Sequence, residues 1–152
     1  MTLTSTAFSA GSPIPVRFTG QGADISPDLL WTGAPPTTKS YVLICEDPDA
    51  PGGTWIHWTM WNIPASVTNL SAGVPRDQML KDGSVQGVTS FGRHGYEGPM
   101  PPRGPAHRYY FRVYALDTTL TLDASATRQQ LGAAMAGHVL SQAELKGTYQ
   151  RQ

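Results

Sequence analysis

Cysteine, charge and long apolar runs are all scarce in this chain. Its single cysteine, Cys45, allows no internal disulfide and no cysteine-based metal cluster. Lying in the most apolar stretch, it reads as a small buried hydrophobe. Charged residues make up 14% of the 152 positions, well under the usual ~25%. Eleven basic residues balance eleven acidic ones, so no basic face is available to hold a nucleic acid by counterion release. No interleaving of aromatic and basic residues offers a stack for bases either. The longest unbroken apolar run, Tyr41 to Cys45, has five residues, against the ~18 that suggest a membrane span. The N-terminus shows neither a basic n-region nor an apolar h-region. No signal peptide is visible, and a cytoplasmic address is expected, although a mature periplasmic chain would read the same. The length fits one domain over residues 1–152.

What is present is turn chemistry and alternation. The chain holds sixteen glycines and thirteen prolines, and turns of this kind break residues 1–35 into short strands. Ser40 to Glu46 reads as a buried central strand, β-branched and aromatic, stopped by Asp47-Pro48. Trp55 to Ile63 reads as a second strand. Strict alternation places Trp55, His57, Thr59, Trp61 and Ile63 on one side, and Ile56, Trp58, Met60 and Asn62 on the other. Both sides are largely apolar, so both are expected to be covered. Residues 64–90 look irregular. Residues 91–106, with four glycines and four prolines, can form neither a helix nor a central strand.

From Arg108 to Leu116 the pattern alternates cleanly. Tyr109, Phe111, Val113 and Ala115 face a core, while Arg108, Tyr110, Arg112 and Tyr114 face a wetter side. Thr127 to Gln130 fits a capping box opening a helix. Leu131, Met135, His138, Val139 and Gln142 are expected on one helical stripe, with Ala143 to Tyr149 returning as a short strand. Many strands followed by one late helix indicate a mainly β sandwich.

Polar residues collect at two strand ends. In the first segment Asp47 and Asp49 close one strand and His57 lies near the start of the next. In the second, a stiff Pro/Gly loop from Gly98 and Pro99 feeds His107 and Tyr109. Spaced by two on an extended strand, His107 and Tyr109 share the core face. If the strands near 55 and 108 are neighbours, His57 and His107 meet at one rim, with Trp55 as wall. Imidazoles, a phenol and carboxylates there suit a small oxyanion, with a carboxylate behind each ring to orient it. Each group also has a plain reading: the aspartates as turn residues, His57, His107 and Tyr109 as core. His94 reads as exposed and silent. No nucleophile is evident beside His107, so no catalysis is expected. The alternatives are a divalent-metal or a hydrolytic site built from Asp47, Asp49, His57 and His107.

These segments, DPDAP at 47–51, IHWTMWNIP at 56–64 and GPMPPRGPAHRYYFRVYALD at 98–117, closely resemble the phosphatidylethanolamine-binding protein family. The flavour is that of its small bacterial, Raf-kinase-inhibitor-like members. Supporting stretches at 22–36, 91–99 and 126–151 extend the resemblance over nearly the whole chain.

The resemblance implies a Greek-key antiparallel β-sandwich of two sheets with a short C-terminal helix. It also implies a pocket binding phosphate or a phospholipid head group without catalysis or cofactor. Carried over residue by residue, the ligand-binding positions are Asp47, Asp49, Trp55, His57, Gly98, Pro99, His107 and Tyr109, and the Ala50-Pro51 bond is a candidate cis peptide. A kinase or protease as protein partner follows from resemblance alone, and the tryptophan-rich strand and neutral charge leave room for a homodimer. The chain departs from the family pattern at residues 20–28 and at Val88-Thr89, which bears on pocket width and ligand choice.

Overall fold

The computed structural model describes residues 1–152. Eight strands run β1 Thr2–Thr4, β2 Leu29–Thr32, β3 Ser40–Asp47, β4 Trp55–Pro64, β5 Asn69–Leu70, β6 Val85–Gln86, β7 His107–Leu116 and β8 Val139–Tyr149. One helix, α1, spans Arg128–Met135, and a 3-10 turn covers Val16–Phe18. The strands form two antiparallel sheets, one of three strands in the order β1-β2-β5 and one of five in the order β6-β4-β3-β7-β8. No helix is long and apolar enough to cross a membrane.

Two cores explain why the central strands are apolar on both sides. Tyr41, Leu43 and Cys45 of β3 join Tyr109, Phe111 and Val113 of β7 in a cluster of 20 buried residues that also takes Leu3, Leu29 and Trp31 from the smaller sheet. Val42 and Ile44, on the reverse side of β3, pack with Leu116, Leu120, Leu131 and Met135 in a second cluster of nine under α1. Trp31, Trp58 and Trp61 are fully buried inside the monomer, so they present no surface for a second copy. Trp55 alone among the tryptophans is exposed, at 38%.

Strict alternation fails along β4, for a definite reason. Opposite β3, the register steps from Tyr41↔Ile63 to Leu43↔Met60 and from Cys45↔Trp58 to Glu46↔Ile56. Each step leaves one extra residue on β4, a bulge that re-aims its neighbours. The first bulge includes Asn62, held at φ 55; its side-chain amide donates to the Leu120 carbonyl and its oxygen accepts from the Leu120 N–H. Ile63 therefore lies with Trp58 and Met60 in the larger core, while Trp61 lies in the smaller. The second extra residue is His57.

The capping box forms as expected, Thr127 accepting from the Gln130 N–H and Gln130 accepting from the Thr127 N–H. The helix is shorter than its stripe. It stops at Met135, Gly137 turns the chain at φ 81, and Val139 already belongs to β8. Leu131 and Met135 complete its buried face. His138 and Gln142 are not helical; His138 is half exposed, its Nδ1 2.8 Å from Asp117 Oδ1. The final strand is eleven residues long, starting at Val139 rather than Ala143. Every peptide bond is trans, Ala50-Pro51 included.

Candidate functional site

The neighbouring strands that the site requires are present, because β3 pairs with β4 on one side and β7 on the other. At the end where β3 finishes and β4 and β7 begin, a half-open cavity of about 300 Å³ is lined by Asp47, Ala50, Pro51, Trp55, His57, Phe91, Met100, Pro101, Pro102, His107 and Tyr109. Five residues expected from the sequence, Asp47, Trp55, His57, His107 and Tyr109, are thus brought to one cup.

Asp47 is 3% exposed, and each of its oxygens is taken. Oδ1 accepts the Asp49 N–H at 2.8 Å and Oδ2 accepts His107 Nδ1 at 2.7 Å. The carboxylate thereby fixes the His107 ring. His57 is also 3% exposed, but what stands behind its ring is not a carboxylate. Its Nδ1 donates to the backbone carbonyl of Glu97 at 2.6 Å. The ring packs edge-on to Tyr109 and to Phe91, centroids 5.3 and 5.4 Å away. Burial pushes its imidazole below the ordinary value of 6.5, ahead of the opposing pull of the Glu97 carbonyl and the nearby Asp47 charge. The Tyr109 phenol is raised, first by burial and then by the Asp47 charge, so it stays protonated and able to donate.

Asp49, Gly98 and Pro99 stand outside the cavity lining and act behind it. Asp49 accepts the Arg108 N–H and Nε at 2.9 Å and Nη2 at 2.8 Å. Those bonds hold its carboxyl down at about 2 and clip the 47–51 turn to β7. Gly98 donates its N–H to Asp24 Oδ1 at 2.7 Å, and the Pro99 carbonyl accepts from Gly20 at 2.8 Å. Tyr96 donates its hydroxyl to the Phe18 carbonyl, and Arg76 bonds the carbonyls of Tyr96 and Asp24. The loop bearing the Glu97 carbonyl is therefore moored to residues 18–24, overlapping the stretch where the sequence departs from the family pattern.

Six lining residues were not anticipated as such: Ala50 and Pro51 in the turn after β3, and Phe91, Met100, Pro101 and Pro102. The signal was available in the apolar side chains of a glycine- and proline-rich loop, which can wall a cavity without secondary structure. Phe91 stands edge-on to Trp55 at 5.6 Å. With Met100 at 43% exposure and Trp55 at 38%, the mouth is apolar and the floor polar. His94, expected to be silent, is half buried with Nδ1 2.9 Å from the Gln86 carbonyl oxygen.

No lysine or arginine lines the cavity, and no three His, Cys, Asp or Glu side chains converge as a metal-holding group. Asp49 is committed to Arg108 and Asp47 to His107, so the four-residue ligand set does not assemble. Cys45 is buried, its thiol pushed up by burial ahead of the Glu46 and Asp47 charges, and offers no nucleophile.

Comparison with known proteins places this geometry. The family model described as phosphatidylethanolamine-binding protein matches residues 4–150. A UPF0098 protein of Methanothermobacter thermautotrophicus is 50% identical over 151 residues, covering 99% of each chain. Among solved structures, a Chlamydia trachomatis protein described as a phosphatidylethanolamine-binding protein homologue superposes with TM-score 0.91 at 44% identity, over 99% of this chain and 97% of that one. Escherichia coli YbcL, described as a member of the mammalian family, superposes with TM-score 0.93 at 35% identity, over 99% and 98%.

Proposed function

The chain belongs to the phosphatidylethanolamine-binding protein family, and from that premise we propose that its cup binds a small oxyanion, the phosphate of inorganic phosphate or of a phosphoester such as a lipid head group, without turning it over. One observation carries this reading. Two imidazoles, each with Nδ1 fixed by the protein, and one protonated phenol line a single cavity of about 300 Å³. The apolar mouth of Trp55, Phe91 and Met100 suits an organic substituent on that phosphate. Greek-key winding of the two sheets and a role in modulating a kinase or protease follow from family resemblance and are part of the same proposal.

Phosphate binding only the folded state raises the melting temperature by mass action. Thermal unfolding in about 1–50 mM phosphate, a span suited to weak affinity, tests this. An upward shift over matched chloride is expected, and no shift removes the reading. A hydrolytic reading rests on the Asp47–His107 pair, whose 2.7 Å bond resembles the orientation of a general base. Release of product from a phosphoester by wild-type protein, abolished in His107→Ala, would establish it in place of simple binding.

A further inference from the structure

We infer that the cup selects phosphates that carry an O–H, monobasic phosphate or a singly protonated phosphomonoester, over oxyanions that have none, with the P–O–H donating to Nε2 of His57. This rests on the oxyanion reading above and narrows it.

The argument begins at the Glu97 carbonyl. A carbonyl only accepts, so the 2.6 Å contact puts the hydrogen on His57 Nδ1. In the neutral ring Nε2 then carries a bare lone pair. It makes no hydrogen bond within the protein, and the ring lines the cavity. What His57 offers a ligand is an acceptor. His107 differs in what stands behind it: its Nδ1 is spent on the Asp47 carboxylate rather than on a carbonyl. With no lysine or arginine in the lining and a buried carboxylate behind it, the wall holds no permanent cation to meet a second negative charge on the ligand. The Tyr109 hydroxyl can donate. An acceptor at His57 fits an anion that still holds a proton, and is left unpaired by one that has lost it.

His57 could instead become a donor by protonating, and its surroundings decide against that. The groups facing it are Asp47 on β3, His107 and Tyr109 on β7, Glu97 with its partner Arg93 on the loop, and Asp24 beyond. The acids favour a cation, yet burial outweighs them. The ligand-free ring is thus held toward its neutral form, and on this inference the shared proton arrives with the ligand.

The test compares inorganic phosphate, sulfate and dimethyl phosphate on the wild-type protein by calorimetry at matched ionic strength. The range is from about pH 5.5 to about pH 8.5, bracketing the ordinary imidazole value. Sulfate is a dianion without O–H; dimethyl phosphate is a monoanion without O–H. At neutrality phosphate should bind at least about tenfold more tightly than either. Its affinity should fall about tenfold per pH unit once the second phosphate proton is lost.

Sulfate equal to phosphate throughout overturns the selection and leaves the oxyanion cup standing. Dimethyl phosphate equal to phosphate also overturns it, showing that charge alone is read. Failure of all three to bind removes the oxyanion reading itself. His57→Gln, whose amide can turn its donor to the ligand, should bring sulfate up toward phosphate. If that variant does not fold, the wild-type ligand and pH comparison decides. Short-chain phosphatidic acid, a phosphomonoester, separates the sources. Tighter binding than inorganic phosphate assigns the apolar mouth to lipid chains, equal binding assigns the cup to free phosphate, and both outcomes support the selection.

Discussion

Gly98→Ala reaches the site without touching its lining. A Cβ at residue 98 would stand 2.1 Å from the Phe18 carbonyl oxygen, 2.8 Å from the Tyr96 hydroxyl and 2.9 Å from Asp24 Oδ1. Reaching ordinary van der Waals separation takes a shift of roughly 1 Å, and the principal obstacle is backbone. Overpacking of this kind costs about 1–3 kcal/mol. Weakening the Gly98 bond to the Asp24 carboxylate costs about 1.5–3 kcal/mol more where it is fully lost. The two effects overlap, and about 3 kcal/mol is expected, or a fall in melting temperature of roughly 5–12 °C in a domain of this size. The same shift stretches the neighbouring Glu97–His57 contact from 2.6 Å beyond hydrogen-bonding range, so on the proposed reading the folded variant should show a smaller thermal shift with phosphate than wild type. Gly92→Asn is the control. Nothing lies within 4 Å of its Cβ position and its φ of 77° is one that asparagine tolerates. Calorimetric melting with and without phosphate reads both variants. Gly98→Ala melting within about 1 °C of wild type would refute the steric argument.

Three further outcomes are expected. Asp49→Asn should destabilise by at most about 1 kcal/mol near neutrality, because the pair with Arg108 is partly solvated. With the folded carboxyl at about 2 and the unfolded one near ~3.9, that contribution is complete above about pH 4 and lost as pH falls toward 2. Urea unfolding of both proteins across that window should show the difference closing. Asn62→Ala removes both bonds to Leu120 and forces alanine to φ 55, at about 2–3 kcal/mol; Asn62→Gly should recover the backbone share in the same urea titration. Cys45, buried and with its thiol raised, should react with a thiol reagent only as fast as the native protein opens, and immediate labelling would contradict its placement.

Residue type and spacing made the long strands legible. Ser40–Asp47 is apolar on both sides because it separates two cores, and β7 alternates because its second side is covered only toward its end, where Leu116 joins the smaller core. The capping box, too, is a local rule that the tertiary structure left undisturbed. What spacing could not reveal is where the ladder slips. His57 shares the cavity with Tyr109 because β4 carries an extra residue there, whereas strict alternation puts it with Thr59 and Trp61. The group behind the His57 ring was equally hidden, since a backbone carbonyl has no letter in the sequence. Gly98 entered the expected site through its match to the family motif, and it stands outside the cavity lining. The collision with Phe18, 80 residues away, gives it a different purpose. The helix end was overrun because Val139 and Gln142 happen to continue the helical spacing that Gly137 interrupts.

Affinity in a cup without fixed cations must come from the direction of its hydrogen bonds. Three of the polar lining groups are held from behind: Asp47 by the Asp49 N–H, His107 by Asp47, and His57 by Glu97. Three paired strands hold these groups in turn. Little reorganisation is then needed when a ligand arrives. Arg108, next to His107 in the chain, has its guanidinium occupied by Asp49 and Tyr110. On the proposed reading, phosphate affinity should therefore change less than about threefold between ~50 and ~200 mM chloride, because short-range bonds in a partly enclosed cavity are poorly screened. Sites built on clustered lysine and arginine lose far more over that range. A steep loss with salt, measured by calorimetry at fixed pH, would mean that exposed charges outside the cup attract the anion, and the preorganised donors and acceptors would no longer account for binding.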